Sequence, residues 1–176
     1  MKVVEFNYLW CMEYSEAKHK FIQAWGTLGS SWGINKAMAQ IHALLLISEK
    51  PLSTEDVMKE LQISRGNVNM NIRALMDWGI VTKEFKTGER MEFFVAGKDI
   101  WELARQVSRE RRRREIEPIL KVLASVQDVE GGTKEETGEF KKVTKDLFDF
   151  SEKVDNVLDK FTKSDQNWFY KLLMKM

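Results

Sequence analysis

The chain has 176 residues, of which 43% are hydrophobic and 31% charged, the balance of a folded chain rather than a disordered one. A single cysteine, Cys11, excludes an internal disulfide framework and any multi-cysteine zinc site. No run reaches roughly 18 consecutive apolar residues, and no basic-then-apolar export pattern opens the chain, so the expectation is a cytoplasmic protein with no membrane partner.

The net charge of +1 hides an uneven distribution. Seven basic and three acidic side chains lie between Arg105 and Lys121, whereas five acids face only Lys134 between Asp128 and Glu139. A locally basic helix beside an acidic stretch can meet a polyanion while the whole molecule stays near neutral.

In chain order, the spacing of Phe21, Trp25, Leu28 and Trp32 predicts a helix from about Tyr14 to Ser30 with large apolar groups on one stripe. Asn35 is a plausible N-cap for a second helix through Ser48, with Met38, Ile41 and Leu45 on one face. Pro51 ends it. Ser53 and Asp56 have capping-box spacing for a short helix containing Val57 and Leu61. Ile63 then leads into Ser64-Arg65-Gly66-Asn67 and a further helix to about Asp77, with Val68, Ile72 and Leu75 as its core face. Gly79 suits a left-handed C-cap.

The period then changes. Val81 to Phe85 and Met91 to Val95 read as strands, and Thr87-Gly88-Glu89-Arg90 supplies a glycine for tight reversal. Two short helices followed by a hairpin make a winged helix-turn-helix pattern. From Asp99 to about Val126 a long helix is predicted, spanning about 42 Å at roughly 1.5 Å per residue. Pro118 kinks it or divides it in two. Gly131, Gly132 and Gly138 mark an acidic linker. Beyond it, Phe140, Val143, Leu147, Phe150, Val154, Val157 and Phe161 keep a heptad-like seam. Ser164-Asp165 can cap a last helix with Trp168, Phe169, Leu172 and Leu173.

The expected architecture is mainly α: a winged helix-turn-helix with a two-stranded wing and long dimerisation helices. Residues 1–33 form an N-terminal helix contributing to a dimer core, and 34–98 the DNA-binding domain. Residues 99–126 are the long basic helix, 127–139 the acidic linker and 140–176 a C-terminal helical dimerisation region.

A DNA-reading helix needs one buried face to fix its orientation and one small, polar face for the major groove. Turning about 100° per residue from Val68, Gly66, Met70 and Arg73 fall on the far side and Asn69 on the flank, with Arg65 and Asn67 in the first turn. Asparagine can pair with adenine and arginine with guanine, while Met70 can touch a thymine methyl. Ser64 caps the helix and can offer its hydroxyl to phosphate. Asn71 lies nearer the buried face and suits a local structural role. Three asparagines in five positions weaken a helix without feeding its core, which favours a functional reading. In the hairpin, Lys86 and Arg90, with Lys83, place positive charge along a wing. The run Arg111 to Arg114 wraps more than one helix face, so it cannot meet one partner as a block.

His19 and His42 belong to no metal-binding pattern, and no activated nucleophile, phosphate loop or catalytic carboxylate pair stands out. The chain therefore reads as a non-enzyme with no cofactor and no metal. Tyr8, Trp10, Phe21, Trp25, Trp32 and Trp101 can serve as core packing. Trp25, Trp32 and Trp101 can also bind a small cationic or apolar effector.

The segments Met38 to Ile47, Pro51-Leu52-Ser53 and Leu61-Gln62-Ile63-Ser64-Arg65-Gly66-Asn67-Val68-Asn69-Met70-Asn71, with Trp78-Gly79 and the hairpin, closely resemble the GbsR branch of the MarR-like winged-helix transcriptional regulators. The resemblance covers roughly Glu16 to Leu123. It implies a homodimeric repressor on a pseudo-palindromic double-stranded DNA operator. Ser64, Arg65, Gly66, Asn67, Asn69, Met70 and Arg73 would then lie on the DNA-reading helix and Lys86 to Arg90 on the wing. Some relatives are thought to answer to choline-like molecules. The alternative is a winged-helix protein-interaction module or basal transcription component without its own operator. The polar third helix argues against it, since a protein-binding face exposes more leucine or aromatic surface.

Overall fold

The computed structural model describes residues 12–85, 87–88 and 91–164. The readings on Tyr8, Trp10, Lys86, Arg90 and the Asp165-capped segment with Trp168, Phe169, Leu172 and Leu173 lie outside the described residues. The chain forms two compact units that divide between Ala96 and Gly97.

The first unit opens with α1 (Tyr14–Ser31) packed on α2 (Lys36–Ile47). The face that α1 buries differs from the stripe of large side chains read from the sequence. Ile22, Gly26 and Gly29 are buried, whereas Leu28 and Trp32 are exposed. The glycines decide this, because they let α2 approach the backbone of α1. A Cβ on Gly29 would stand 2.6 Å from the Ala39 Cβ, and one on Gly26 would stand 2.7 Å from the Gln40 Cγ. Asn35 caps α2 by accepting from the Met38 N–H at 3.2 Å. Within α2, Ile41, Ala43 and Leu44 lose all contact with solvent and form the centre of the unit.

Strand β1 (Leu52–Ser53) leads into α3 (Thr54–Leu61), which Ser53 and Asp56 close with a full capping box. Helix α4 (Arg65–Asp77) follows after a three-residue turn. Its end is closed by Gly79 at φ 72°, with the Ile80 N–H reaching back to the Leu75 carbonyl at 3.2 Å. Strands β2 (Val81–Phe85) and β3 (Glu92–Ala96) pair antiparallel, with Val81 opposite Ala96 and Phe85 opposite Glu92. Beyond this two-stranded wing, β1 completes a three-stranded sheet in the order β1-β3-β2, because Leu52 and Ser53 pair with Phe94 and Phe93. A two-residue strand is too short to show a period of its own. This is a winged helix-turn-helix fold, mainly α-helical, with extended C-terminal helices in the second unit.

In the second unit Asp99 caps α5 (Ile100–Arg111) through the Glu102 N–H at 3.1 Å. The long helix expected over 99–126 is interrupted by a π-helical turn at Arg112–Ile116, and α6 (Glu117–Ser125) continues beyond it. Pro118 supplies the reason: it has no N–H for the Arg114 carbonyl, and its ring crowds that carbonyl. Helix α7 (Lys134–Lys163) packs back on α5 and α6. The predicted linker over 127–139 is shortened from its C-terminal side, since Lys134 to Glu139 are helical. Thr133 and Glu136 form a capping box within the acidic run. Among the described residues no helix is long and apolar enough to cross a membrane.

His42 sits in the core of the first unit, 3% exposed, with its ring centroid 6.2 Å from that of Trp25. Among the described residues its Nε2 has no hydrogen-bond partner. Burial pushes the imidazole down to about 4 from its ordinary value near 6.5. The folded chain therefore keeps His42 neutral while the unfolded chain protonates it. That contribution to stability is complete above pH 6.5 and is lost as pH falls toward 4, by about 3 kcal/mol. Replacing His42 by leucine should flatten this part of the stability profile in denaturant titrations at pH 7, 5.5 and 4. An unchanged profile would show that His42 is not the group that takes up the proton.

Candidate nucleic-acid interface

Three side chains fix the azimuth of α4. Val68, Ile72 and Leu75 are each 1% exposed or less, and α4 packs against α2, α3 and β2. The opposite side is therefore held in solvent. Arg65, Gly66, Asn69, Met70 and Arg73 are all exposed, and so is Ser64 at the cap. Met70 is 61% exposed, an unusual cost for an apolar side chain that serves no core.

The turn that delivers this face is built from local polar contacts. Gln62 ends α3 in the left-handed region at φ 53°, and its side-chain Nε2 donates to the Lys59 carbonyl at 2.6 Å. The Ser64 oxygen accepts from the Asn67 N–H at 3.3 Å. The remaining N–H groups of the first turn point out of the helix, where an anion can meet them.

Two neighbours of this face escaped the sequence reading. Glu55, in the first turn of α3, accepts from Arg65 Nη2 at 2.6 Å, and that hydrogen bond holds the carboxyl below the usual carboxylate range. Thr54 Oγ1 lies 3.5 Å from Asn69 Oδ1. Their reach to α4 depends on the crossing of two helices, which no spacing in the chain encodes.

Asn71 is buried, and its Nδ2 donates to both the Asn67 carbonyl at 2.8 Å and Asn67 Oδ1 at 2.5 Å. A backbone carbonyl can only accept, so the Asn71 amide must present its nitrogen there. The Asn67 oxygen is then turned inward and its NH2 group is left to face away. Half-buried Asn67 thus offers donors, as Arg65 does. Asn71 positions Asn67 instead of joining the exposed face.

On the wing, Lys83 pairs with Glu92 at 2.7 Å and lies 6.0 Å from the centroid of the Phe85 ring. Phe85 is 75% exposed. Gly88 turns the tip at φ 85°.

The arginine run is largely engaged inside its own unit. Arg112 makes a bidentate pair with Asp155, at 2.6 and 2.9 Å, and lies 3.4 Å from Asp159 and 3.7 Å from Glu117. The hydrogen bond to Asp155 raises its already high pKa further. Arg113 and Arg114 both converge on Glu110, which is 6% exposed. Burial raises the Glu110 carboxyl, but the two guanidiniums outweigh it and the net shift is downward.

The aromatic candidates fall in both units. Trp25 packs against Phe21, at 5.6 Å between ring centroids, and Trp32 is exposed beyond the end of α1. Trp101 belongs to the second unit, where it packs on Phe161 at 6.1 Å. Among the described residues no group of three or more His, Cys, Asp or Glu is placed to hold a metal ion.

Comparison with known proteins gives a consistent fold. Residues 39–83 match the model of the bacterial regulatory protein arsR family, a stretch from α2 into β2 that includes all of α3 and α4. A crystal structure described as a transcriptional regulator is similar over 83% of this chain and 95% of its own, at 16% identity and a TM-score of 0.64. A structure of an S. aureus MepR mutant bound to an oligodeoxyribonucleotide is similar over 80% of this chain and 99% of its own. Its identity is 17% and its TM-score 0.40. No curated protein matches the chain. The chain thus has a winged helix-turn-helix fold, similar to that of a solved transcriptional regulator.

Proposed function

We propose that this chain is a sequence-specific double-stranded DNA-binding transcriptional regulator, a homodimeric repressor of the GbsR branch whose output a small molecule modulates. The observation that carries the reading is the polar face of α4, held in solvent by the burial of Val68, Ile72 and Leu75. Arg65, Asn67, Asn69, Met70 and Arg73 provide groove-sized side chains on one helix, and Ser64 a cap near phosphate. The Arg65–Glu55 pair is exposed and worth little in water, so a guanine edge or phosphate replaces it at small cost. Lys83 supports the wing, with Lys86 and Arg90 as its further cations.

The alternative, a protein-interaction module, is favoured by one feature, the exposed Phe85 on the wing. Selection of bound duplexes from a random pool separates the two: the regulator enriches one site, and the module enriches none.

On the selected site, Arg65→Ala or Asn69→Ala should cost about 1–3 kcal/mol of preference over random duplex at fixed salt. Equal affinity of wild type and both variants on both duplexes, with folding intact, would remove these side chains from the interface. Asn71→Leu has a different signature. It frees the Asn67 amide to rotate, so preference should relax at one base position per half-site while the Arg65-dependent position holds. Uniform weakening at every position would instead mark Asn71 as purely structural.

For modulation, tryptophan fluorescence and operator affinity should both respond to choline, glycine betaine or an uncharged amphiphile acting near Trp25, Trp32 or Trp101. Because coupling is reciprocal, a compound that weakens DNA binding must bind the DNA-bound protein less tightly by the same factor. If none of these compounds changes either signal, the effector is removed from the proposal.

A further inference from the structure

Helix α7 wears its apolar seam on the outside. Phe140, Val143, Leu147, Phe150 and Val157 are between 42% and 65% exposed, and Val154 is partly so. The side that α7 turns toward α5 and α6 is more polar than this stripe, with Thr144 and Thr162 buried and Phe148, Ser151, Asp155 and Leu158 half-buried. Phe161, the seventh member of the seam, is taken up by Trp101. An exposed stripe of six large side chains on one helix exceeds the scattered apolar surface a monomer normally carries.

The stripe has an internal symmetry. Counted outward from the midpoint between Phe148 and Asp149, Leu147 mirrors Phe150, Val143 mirrors Val154, and Phe140 mirrors Val157. A pattern that reads the same in both directions is what an isologous contact between two antiparallel copies requires. We infer that a second copy of this chain docks on α7 antiparallel, about a two-fold axis at that midpoint. This rests on the homodimer of the proposed function and assigns it a surface, a direction and a register.

Charge complementarity selects the same arrangement. Writing Phe140, Leu147 and Val154 as a positions and Val143, Phe150 and Val157 as d positions makes Glu139, Asp146, Lys153 and Lys160 the g positions. All four are exposed, and none makes an ion pair among the described residues. In an antiparallel pair the a residues of one helix face the d residues of the other, and g flanks g. Glu139 then meets the partner's Lys160 and Asp146 meets the partner's Lys153, each twice by symmetry. Sliding the helices by one heptad sets either Asp146 or Lys153 against its own counterpart, a like-charge contact. A parallel pair brings Glu139, Asp146 and Lys153 beside the partner's Thr144, Ser151 and Leu158 and forms no ion pair at all. Flanking charges set partner direction in this way in helical pairs generally.

Cross-linking of the full chain tests the direction. In a Cys11→Ser background, Glu139→Cys and Lys160→Cys chains mixed in equal amounts should yield a covalent dimer with a short bismaleimide. Neither variant should do so alone, because like positions lie about 32 Å apart along the axis at roughly 1.5 Å per residue. Lys153→Glu should raise the dimer dissociation constant about tenfold, since two exposed pairs become repulsive, and adding Asp146→Lys should restore it to within about threefold. Self-cross-linking of Glu139→Cys alone would overturn the direction and leave the dimer standing. A dimer that shows neither the mixed cross-link nor the charge response would place its interface elsewhere. A monomer at micromolar concentration, the stripe then left to the chain's own residues 165–176, would overturn both this inference and the dimeric reading.

Discussion

The burial of Val68, Ile72 and Leu75 against α2 is the constraint on which the first unit's presentation depends. With those three side chains excluded from water, α4 has no freedom to rotate about its axis, since a turn of about 100° would expose two or three buried aliphatic groups at about 1.5–3 kcal/mol each. Every other azimuth on the helix is assigned by default. Asn71, beside the anchor, falls inside and orients Asn67, whereas Asn69 falls outside. Residues of one type, two positions apart, thereby acquire opposite roles.

The second unit combines apolar packing, with Leu123 buried and Trp101 on Phe161, with ion pairs. Its interior joins α5, the π turn and α7 through ion pairs, with Arg112 clamped by Asp155 and Glu110 by two guanidiniums. Its exterior carries the aliphatic and aromatic stripe of α7. Partly buried pairs of this kind contribute less to stability than apolar packing of similar volume, but breaking one partner is costly. They fix which face of α7 is turned inward. The positive excess counted between Arg105 and Lys121 is therefore partly matched within the unit, Arg112 by Asp155 on α7 and Arg113 and Arg114 by Glu110, while the latter two guanidiniums stay more than half exposed.

Much of the first unit was legible from the sequence. Alternating spacings of three and four mark α2, α3 and α4, Asn35, Ser53 and Ser64 are read as caps, and β2 matches the predicted first strand. These features depend on neighbours within four residues, where helix and strand geometry leave little choice. The face of α1 was misjudged for a reason within the same logic. A search for large apolar groups passes over Gly26 and Gly29, and it is the absence of a side chain that brings α2 into contact. The start of α7 was misplaced because the acidic, glycine-containing run masked the Thr133–Glu136 capping box.

The contacts around the candidate site were the least legible. Glu55 lies ten residues before Arg65, and Asp155 lies 43 residues after Arg112. Nothing in local periodicity connects such pairs, because helix geometry makes contacts only three and four residues apart. By itself the sequence determined that α2, α3 and α4 are helices, where they are capped, which of their faces are apolar and that a polar helix follows a tight turn. The tertiary structure alone decided that Glu55 holds Arg65, that β1 joins the sheet of the wing and that Asp155 clamps Arg112. It also decided that the seam of α7 faces outward, because the packing of α5 and α6 claims the adjacent, more polar face.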